Sequence, residues 1–442
     1  MEAYAPLLVL GLLLFLVFAG VEVAVSLGVV SLLAIFISTQ DIEISIAFLS
    51  TTAYNALRDY VFAVVPLFLL MGEFIARSGI AYDLYWGIDR GLKRLRGRFA
   101  YATVMGNVVF AFVSGTSLAS ATTFTAIAYP QMKRAGYDPH FSLGLISGSA
   151  CLGMLIPPSI LMVVWGILTD LSIGHLFLAG IIPGFILAGL MAAYIFAISV
   201  FKPHIVGHGV GDMRESRVET EGPSGRDMAI SVVGLVAIVF GALGGIWAGL
   251  FTPTEGAGIG ALVALGVGLV KGMKLDEIYK AVLAVGRTAT PLMIIVFAAQ
   301  LYSRTLQMSG IGNQLQAMIT DSGMSPEGML IFMVVVWLLL GTIIDSISIM
   351  LLTVPIFAPI AMKIGVDPLA FALMGILTIE AGLLTPPFGL VVYAVRAVIP
   401  REPVSMSMIF LGAAPFCVML LTVVAIVYFF PITTRYLIQF FQ

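Results

Sequence analysis

Four short segments of this 442-residue chain place oxygen donors beside residues that break helices. Two are clusters of Ser, Thr and Gly: SGTS at Ser114–Ser117 and GTIIDS at Gly341–Ser346. Two are Pro-Pro breaks: GMLIPPS from Gly153 and GLLTPPF from Gly382. All four sit in runs otherwise apolar enough to read as membrane helices. A proline pair cannot continue such a helix, because the second ring removes an N–H and forces the preceding residue into extended geometry. In hydrocarbon each unsatisfied backbone group costs several kcal/mol unless protein, water or a ligand repairs it. The chemistry that a break offers in return is ion binding. Half-helix N-termini present N–H groups and positive dipole ends to an anion, and unwound carbonyls coordinate cations. Glycine permits close backbone approach and unusual dihedrals. The hydroxyls of Ser114, Thr116, Ser117, Thr342, Ser346 and Thr385 are neutral oxygen donors, and a cage of carbonyl and hydroxyl oxygens suits a hard cation such as Na+. One Ser/Thr/Gly cluster alone is as well explained by helix packing. A duplicated set with proline context favours binding, and two related half-sites suggest two cation sites flanking one substrate.

The elements that must position these segments are membrane helices. The chain is 60% hydrophobic and 10% charged, and apolar runs recur along nearly its whole length. Each is long enough for a hydrocarbon core of about 30 Å. This is the pattern of an all-α polytopic membrane protein; a β-barrel would alternate with period two. The start, MEAYAPLLVLGLLLFLVFAG, lacks the basic region of a signal peptide and is followed at once by a second span. A net charge of −2 gives no bias toward nucleic acid. Cys151 and Cys417 lie in apolar segments and read as buried free thiols, and four scattered histidines without HExxH or CxxC make a metal centre an unsuitable reading.

The segments fall into two repeats, residues 1–201 and 228–442, around a polar Gly-rich linker at 202–227. Pro139 and Pro157 are 18 residues apart, as are Pro368 and Pro386; Pro130 and Pro139 are 9 apart, as are Pro359 and Pro368. Weaker echoes pair Arg77–Leu84 with Met308–Leu315, and an amphipathic Ile44–Tyr60 with Asp276–Ala289, both suited to the membrane interface. The expected elements are scaffold helices over about 1–60, a first hairpin over about 100–131 and a broken helix over about 141–170. The second half repeats them as a hairpin over about 328–362 and a broken helix over about 368–398. The basic loop Asp89–Arg98 belongs in the cytoplasm, which puts the N-terminus outside. Five crossings in the first half then invert the second repeat, so the hairpins enter from opposite sides; Lys271, Lys274, Arg396 and Arg401 fall inside.

Acids within apolar runs need separate weighing. Asp345, at the second tip, suits a cation ligand, a proton site or a cap of the hairpin. Glu255, just after Pro253, suits helix capping. Glu380, two residues before Gly382, stays open in the same way. Arg304 and Arg396 fit snorkelling at span ends.

At SGTSLASATT, YPQMKRAGYDP, GMLIPPSI, GLFTPTEGAG and TVPIFAPI…GVDP…GLLTPPFG, the chain resembles the large membrane (M, DctM-like) subunit of tripartite ATP-independent periplasmic (TRAP) transporters over nearly its full length. The resemblance implies an ion-transporter-type fold with two inverted repeats and two hairpins. It implies uptake of an organic anion (C4-dicarboxylate, sialic acid, sugar acid or keto acid) driven by Na+ through an elevator motion, and no enzymatic activity. It implies residence in a prokaryotic inner membrane and two partners, a small four-helix membrane subunit (Q) and a periplasmic substrate-binding protein (P). The chain stops soon after its last span, so Q is expected as a separate chain. Carried over, the first ion site falls on Ser114, Gly115, Ser117 and Gly153, and the second on Gly341, Thr342, Asp345 and Gly382. Substrate falls between the tips, near Thr116, Ser117, Pro157, Pro158, Ser346, Pro386 and Pro387. The halves depart from each other by three residues between tip and DP, 24 from Gly115 to Pro139 against 27 from Gly341 to Pro368. A standalone Na+/dicarboxylate symporter of related fold is the nearest alternative. An intramembrane enzyme using Asp345 and Glu380 lacks a nucleophile–base set, and a channel does not account for hairpins from both sides.

Overall fold

The computed structural model describes residues 5–58, 60–207, 223–310, 312, 314, 317 and 323–441, the side chains of 5–7, 56 and 57 excepted. Most of the expected linker, residues 208–222, lies outside the described residues, as does part of the echo at Met308–Leu315. The described residues are helical, with one isolated bridge between Tyr137 and Val206. Among the described residues, seven helices are long and apolar enough to cross a membrane, or eight when the bent pair Pro139–Leu155 and Ile160–Thr169 counts as one span. Shorter apolar helices include Leu8–Phe18, Val23–Thr39, Arg98–Ser114, Pro326–Gly341 and Pro368–Gly382. The chain is therefore an all-helical polytopic membrane protein.

Burial sorts the helices into a centre and a periphery. In Ser346–Lys363 the most apolar stretch is 78% buried, against 28% in Ile173–Phe201 and in Leu275–Met308. A helix apolar on every side and buried on every side is core; one apolar on every side but open to its surroundings meets lipid or a partner. The centre holds two helical hairpins. In the first, Arg98–Ser114 and Ser117–Arg134 run antiparallel, with Phe110 edge-on to Phe124 at 5.8 Å and Thr103 Oγ1 3.9 Å from Met132 Sδ. In the second, Pro326–Gly341 and Ser346–Lys363 are joined by Trp337 Nε1 donating to Thr353 Oγ1 at 2.7 Å and by Phe332 beside Phe357. Trp165 and Trp337, one from each half, meet edge-on at 6.0 Å, and both pack on Phe371.

The two DP motifs have a local reason. Asp138 and Asp367 are N-caps with proline at the first helical position, accepting from Phe141 N at 3.0 Å and Ala370 N at 2.8 Å. Each starts a broken helix: Pro139–Leu155 then Ile160–Thr169, bent by 42°, and Pro368–Gly382 then Leu390–Val398. Glu255 closes a capping box with Thr252, whose N–H donates to Glu255 Oε2 at 2.8 Å.

One sequence reading is corrected and another gains a partner. Asp276–Ala289 is not a separate interfacial piece but the first part of one 34-residue helix, Leu275–Met308. Pro291 inside it removes one ladder bond, and the bonds on either side keep the rod continuous. Ile44–Tyr60, by contrast, does form its own helix, Ile42–Arg58. Lys271 is more than an orienting charge. It is bonded to Asp83, and its Nζ donates to Ser231 Oγ at 3.0 Å; Ser231 Oγ in turn donates to Asp83 Oδ2 at 2.6 Å. Both ionic side chains are under 10% exposed, and the triad ties Ile80–Gly91 to Gly225–Val236 and the end of Pro253–Val270. Removing one member of such a pair leaves an uncompensated charge, which costs more than the pair itself contributes.

Candidate functional site

The first hairpin turns at Gly115 and Thr116. Gly115 ends the outgoing arm at φ +63°, where a side chain would be strained, and a Cβ there would stand 3.0 Å from the carbonyl oxygen of Pro158. Thr116 starts the return arm as N-cap, its Oγ1 accepting from Ala119 N at 3.2 Å. Ser114 Oγ lies 3.3 Å from Ser120 Oγ, and Ser117, the first residue of the return arm, is buried. Gly153 faces this turn: a Cβ on it would lie 2.9 Å from Thr116 O and 2.8 Å from Ser120 Oγ. The chain then breaks at Ile156–Ser159, with Pro157 and Pro158 buried and their peptide bond cis. Ser159 spans the break, donating to Met154 O at 2.6 Å and accepting from Met162 N at 3.4 Å. Ile160 N, just past the prolines, donates to Gly115 O at 3.2 Å.

The second half builds a matching corner. Gly341 and Gly382 bring two helices into backbone contact; a Cβ on Gly341 would meet Gly382 Cα at 2.7 Å, and one on Gly382 would meet Gly341 Cα at 2.6 Å. Thr342 Oγ1 donates to Leu339 O at 2.8 Å. Asp345 is exposed and is the N-cap of the return arm, its Oδ2 accepting from Ser348 N at 3.0 Å, which leaves its other oxygen for a ligand. Pro386 and Pro387, also joined by a cis bond, lie in the break Leu383–Gly389. Just past them Phe388 N donates to Thr342 O at 3.1 Å. In each half, then, one backbone hydrogen bond fastens the Pro-Pro break to the tip of the hairpin of that half. A carbonyl oxygen has two lone pairs, so Gly115 O and Thr342 O keep acceptor capacity for a cation.

The expected residues thus gather in two clusters, Ser114 to Ser117 with Gly153, Pro157 and Pro158, and Gly341 to Ser346 with Gly382, Pro386 and Pro387. Two residues outside the expected site set join them. Ser120 completes the first cluster through Ser114 and Gly153. Glu380 connects the clusters: it is 1% exposed, and Ser346 Oγ donates to its Oε1 at 3.1 Å. Ser117 Oγ lies beside the same carboxyl but out of hydrogen-bond geometry. The signal available in the sequence was an acid in an apolar run with no basic residue within two turns. The cysteines flank this region as free thiols; Cys151 Sγ is 4.0 Å from Glu380 O, and Cys417 Sγ is 3.6 Å from Thr385 Oγ1. Chemically, the arrangement offers backbone carbonyls, neutral hydroxyls and one exposed carboxylate at paired helix ends, the donor set of a hard-cation site.

Comparison with known proteins gives this geometry a family. The family model for the DctM component of tripartite ATP-independent periplasmic transporters matches residues 10–433. The C4-dicarboxylate TRAP transporter large permease protein DctM of Pseudomonas aeruginosa is 33% identical over 408 residues, covering 92% of each chain. The sialic acid TRAP transporter large permease protein SiaM of Vibrio cholerae is 29% identical over 430 residues, covering 96% of each. Among solved structures, the Alcanivorax borkumensis YdaH transporter shares the fold at a TM-score of 0.60 and 17% identity, over 90% of this chain and 88% of that one. The relatives are named as permeases, which agrees with a helical membrane protein. With a matching model over nearly its whole length, the chain belongs to the DctM family of TRAP transporter membrane components.

Proposed function

We propose that this chain is the large membrane subunit of a Na+-coupled importer of an organic anion, a C4-dicarboxylate, a sialic acid or a similar carboxylate. The observation that carries the reading is the pairing of each hairpin tip with its own Pro-Pro break through Ile160 N to Gly115 O and Phe388 N to Thr342 O. Two such corners supply two Na+ sites, one from Ser114, Gly115, Ser117 and Gly153, the other from Gly341, Thr342, Asp345 and Gly382. The carboxylate of the substrate lies between them, near Thr116, Ser117, Pro157, Pro158, Ser346, Pro386 and Pro387, where half-helix N-termini favour an anion. Bound Na+ neutralises charge beside the anion and so couples the two gradients.

The halves are inverted repeats, with the hairpins entering from opposite faces of an inner membrane and the N-terminus outside. The buried hairpins and broken helices move as one elevator body against the peripheral helices. A periplasmic binding protein delivers the substrate, and a small four-helix subunit braces the periphery. Support comes from the family membership, from the paired sequence spacing and from the difference in burial between centre and periphery.

The test is uptake into proteoliposomes holding this chain, its small partner and its cognate binding protein, with and without an inward Na+ gradient, across a panel of labelled organic acids. Uptake that needs both Na+ and the binding protein is expected. Uptake without the binding protein would replace the tripartite reading by a standalone symporter. Uptake driven by a proton gradient and indifferent to Na+ would remove the two cation sites.

A further inference from the structure

A polar cavity of about 300 Å³ opens at the base of the first hairpin. Its walls come from Arg98 and Phe99 at the start of the outgoing arm, from Gln131 near the end of the return arm, and from the helix Ile80–Gly91 with the loop that follows it. The tip at Gly115 and Thr116 is at the far end of both arms, roughly 25 Å away along a helix of this length. The cavity is therefore no part of the paired corners. Its size is at the lower end of the range for ligand pockets, roughly 300–1,000 Å³.

The charges in it do not balance. Arg90, Lys93 and Arg98 line it against a single acid, Asp89. Asp89 pairs with Arg98, its Oδ1 standing 3.2 Å from Nε. Arg90 and Lys93 make no hydrogen bond or salt bridge to any described residue. Arg90 is held by stacking instead, its Cζ 3.7 Å from the centre of the Trp86 ring. Stacking fixes the guanidinium plane and leaves the N–H donors along its edge open. The Tyr85 hydroxyl adds a further donor. Tyr85 is 2% exposed, and its hydroxyl lies near Thr103, Asp89 and Arg98 but within hydrogen-bond geometry of none. A planar fork, a mobile ammonium and a hydroxyl together suit a tetrahedral anion with several acceptor oxygens, which is a phosphate group.

We infer that this cavity binds the phosphate of an anionic phospholipid headgroup, with Arg90 and Lys93 as its charged ligands. The surroundings favour a lipid as the source. Trp86 has the amphipathic ring that settles at the headgroup level of a bilayer. Leu95, between Arg94 and Arg96, is 47% exposed, so the loop alternates basic groups with an apolar one, as segments lying on a membrane do. Basic pockets between helices at a membrane surface hold anionic headgroups, and nearby lysine and arginine add attraction to such lipids. A headgroup seated here contacts Ile80–Gly91 and both arms of the hairpin, and so ties the hairpin base to its neighbour. The assignment requires only that the chain lies in a membrane; it uses neither the proposed substrate nor the proposed Na+ coupling.

The experiment titrates the purified full chain, stripped of lipid in detergent, with phosphatidylglycerol or phosphatidylcholine and counts retained lipid by native mass spectrometry. Selective retention of phosphatidylglycerol is expected. The double variant Arg90→Gln with Lys93→Gln should weaken it at least about tenfold. Arg94→Gln with Arg96→Gln removes the same charge from residues outside the cavity and should change it less than about twofold. Equal weakening in both variants would overturn the proposal in favour of diffuse surface charge, and no weakening in the first would overturn it outright. Inorganic phosphate should not displace the lipid; displacement at low millimolar concentration would assign the site to the free anion instead. A second measurement uses bilayers in which the lipid is brominated near its glycerol. Phosphatidylglycerol so labelled should quench tryptophan fluorescence more than labelled phosphatidylcholine. Trp165 and Trp337 are buried, so the selective part should vanish in Trp86→Phe. Its survival there would place the lipid elsewhere and sink the assignment. Neither measurement needs transport, so both stand or fall separately from the transporter reading.

Discussion

Pro157 and Pro158 are buried on all sides, whereas Pro386, Pro387 and the following Phe388 are exposed, although both pairs sit at the same spacing from their DP caps. The cover differs. The helix Ile173–Phe201 closes over the first break, with Gly184 so near Ile156 that a Cβ would stand 2.7 Å from its Cγ1. The helix Met406–Phe429 touches the second break on one side only, through Phe410 against Gly389 and Cys417 against Thr385. At the tips the contrast is smaller: the N-cap Thr116 is half-buried and its counterpart Asp345 exposed, while Ser117 and Ser346, which follow them, are both buried. Matched motifs therefore make matched backbones, while packing by a third helix decides which corner is sealed and which is open.

The comparison can be broken at the glycines. Gly382→Val drives a branched side chain into the Gly341 backbone, which has no flexible end to yield, so uptake should fall at least about a hundredfold while the chain still inserts. Retention of uptake would show that the Gly341–Gly382 contact does not shape the second corner. Asp345→Asn keeps a capping oxygen but removes the charge. If the exposed corner holds a cation, the Na+ concentration for half-maximal uptake should rise by about tenfold with little change in melting temperature. A fall in melting temperature with unchanged Na+ dependence would make Asp345 a cap only.

Accessibility sharpens the contrast directly. In a background with Cys151 and Cys417 replaced by alanine, Phe388→Cys should react with a membrane-impermeant thiol reagent about tenfold faster than Ile160→Cys, because only the former is open. Equal rates would mean that the two breaks are equally sealed in the membrane. Gly115→Ala, at φ +63°, should cost about 1–2 kcal/mol in thermal stability from backbone strain, and more if Pro158 cannot give way. The counterpart substitution Thr342→Ala meets no such strain, since Thr342 has φ −72°. The smallest effect is at the surface: Lys133 Nζ contacts Glu402 at 2.7 Å in the open, so Lys133→Ala should leave melting and uptake unchanged.

Much of this was legible in the sequence because proline, glycine and aspartate act locally. DP marks a cap, a proline pair marks a break, and a glycine before a hydroxyl marks a tip, so the paired elements stand where spacing puts them. What escaped depends on residues far apart in the chain. Glu380 meets its hydrogen-bond partner only in Ser346, and Lys271 its ionic partner only in Asp83, so neither shows in its own neighbourhood. The continuity of Leu275–Met308 escaped for the opposite reason: its polar opening and apolar remainder look like two elements, while one proline is too weak a signal to separate them. Sealing of the first break was hidden because it is done by glycines of a helix that the repeat pattern does not single out.

That long helix has a consequence for the host bilayer. At 1.5 Å per residue its 34 residues measure roughly 50 Å, well beyond a hydrocarbon slab of about 30 Å. The excess is met by tilt, by lifting the charged first turns into the headgroups, or by thickening the lipid around it. Each response costs elastic energy that depends on acyl-chain length, so membrane thickness becomes a parameter of this protein alongside sequence and ions.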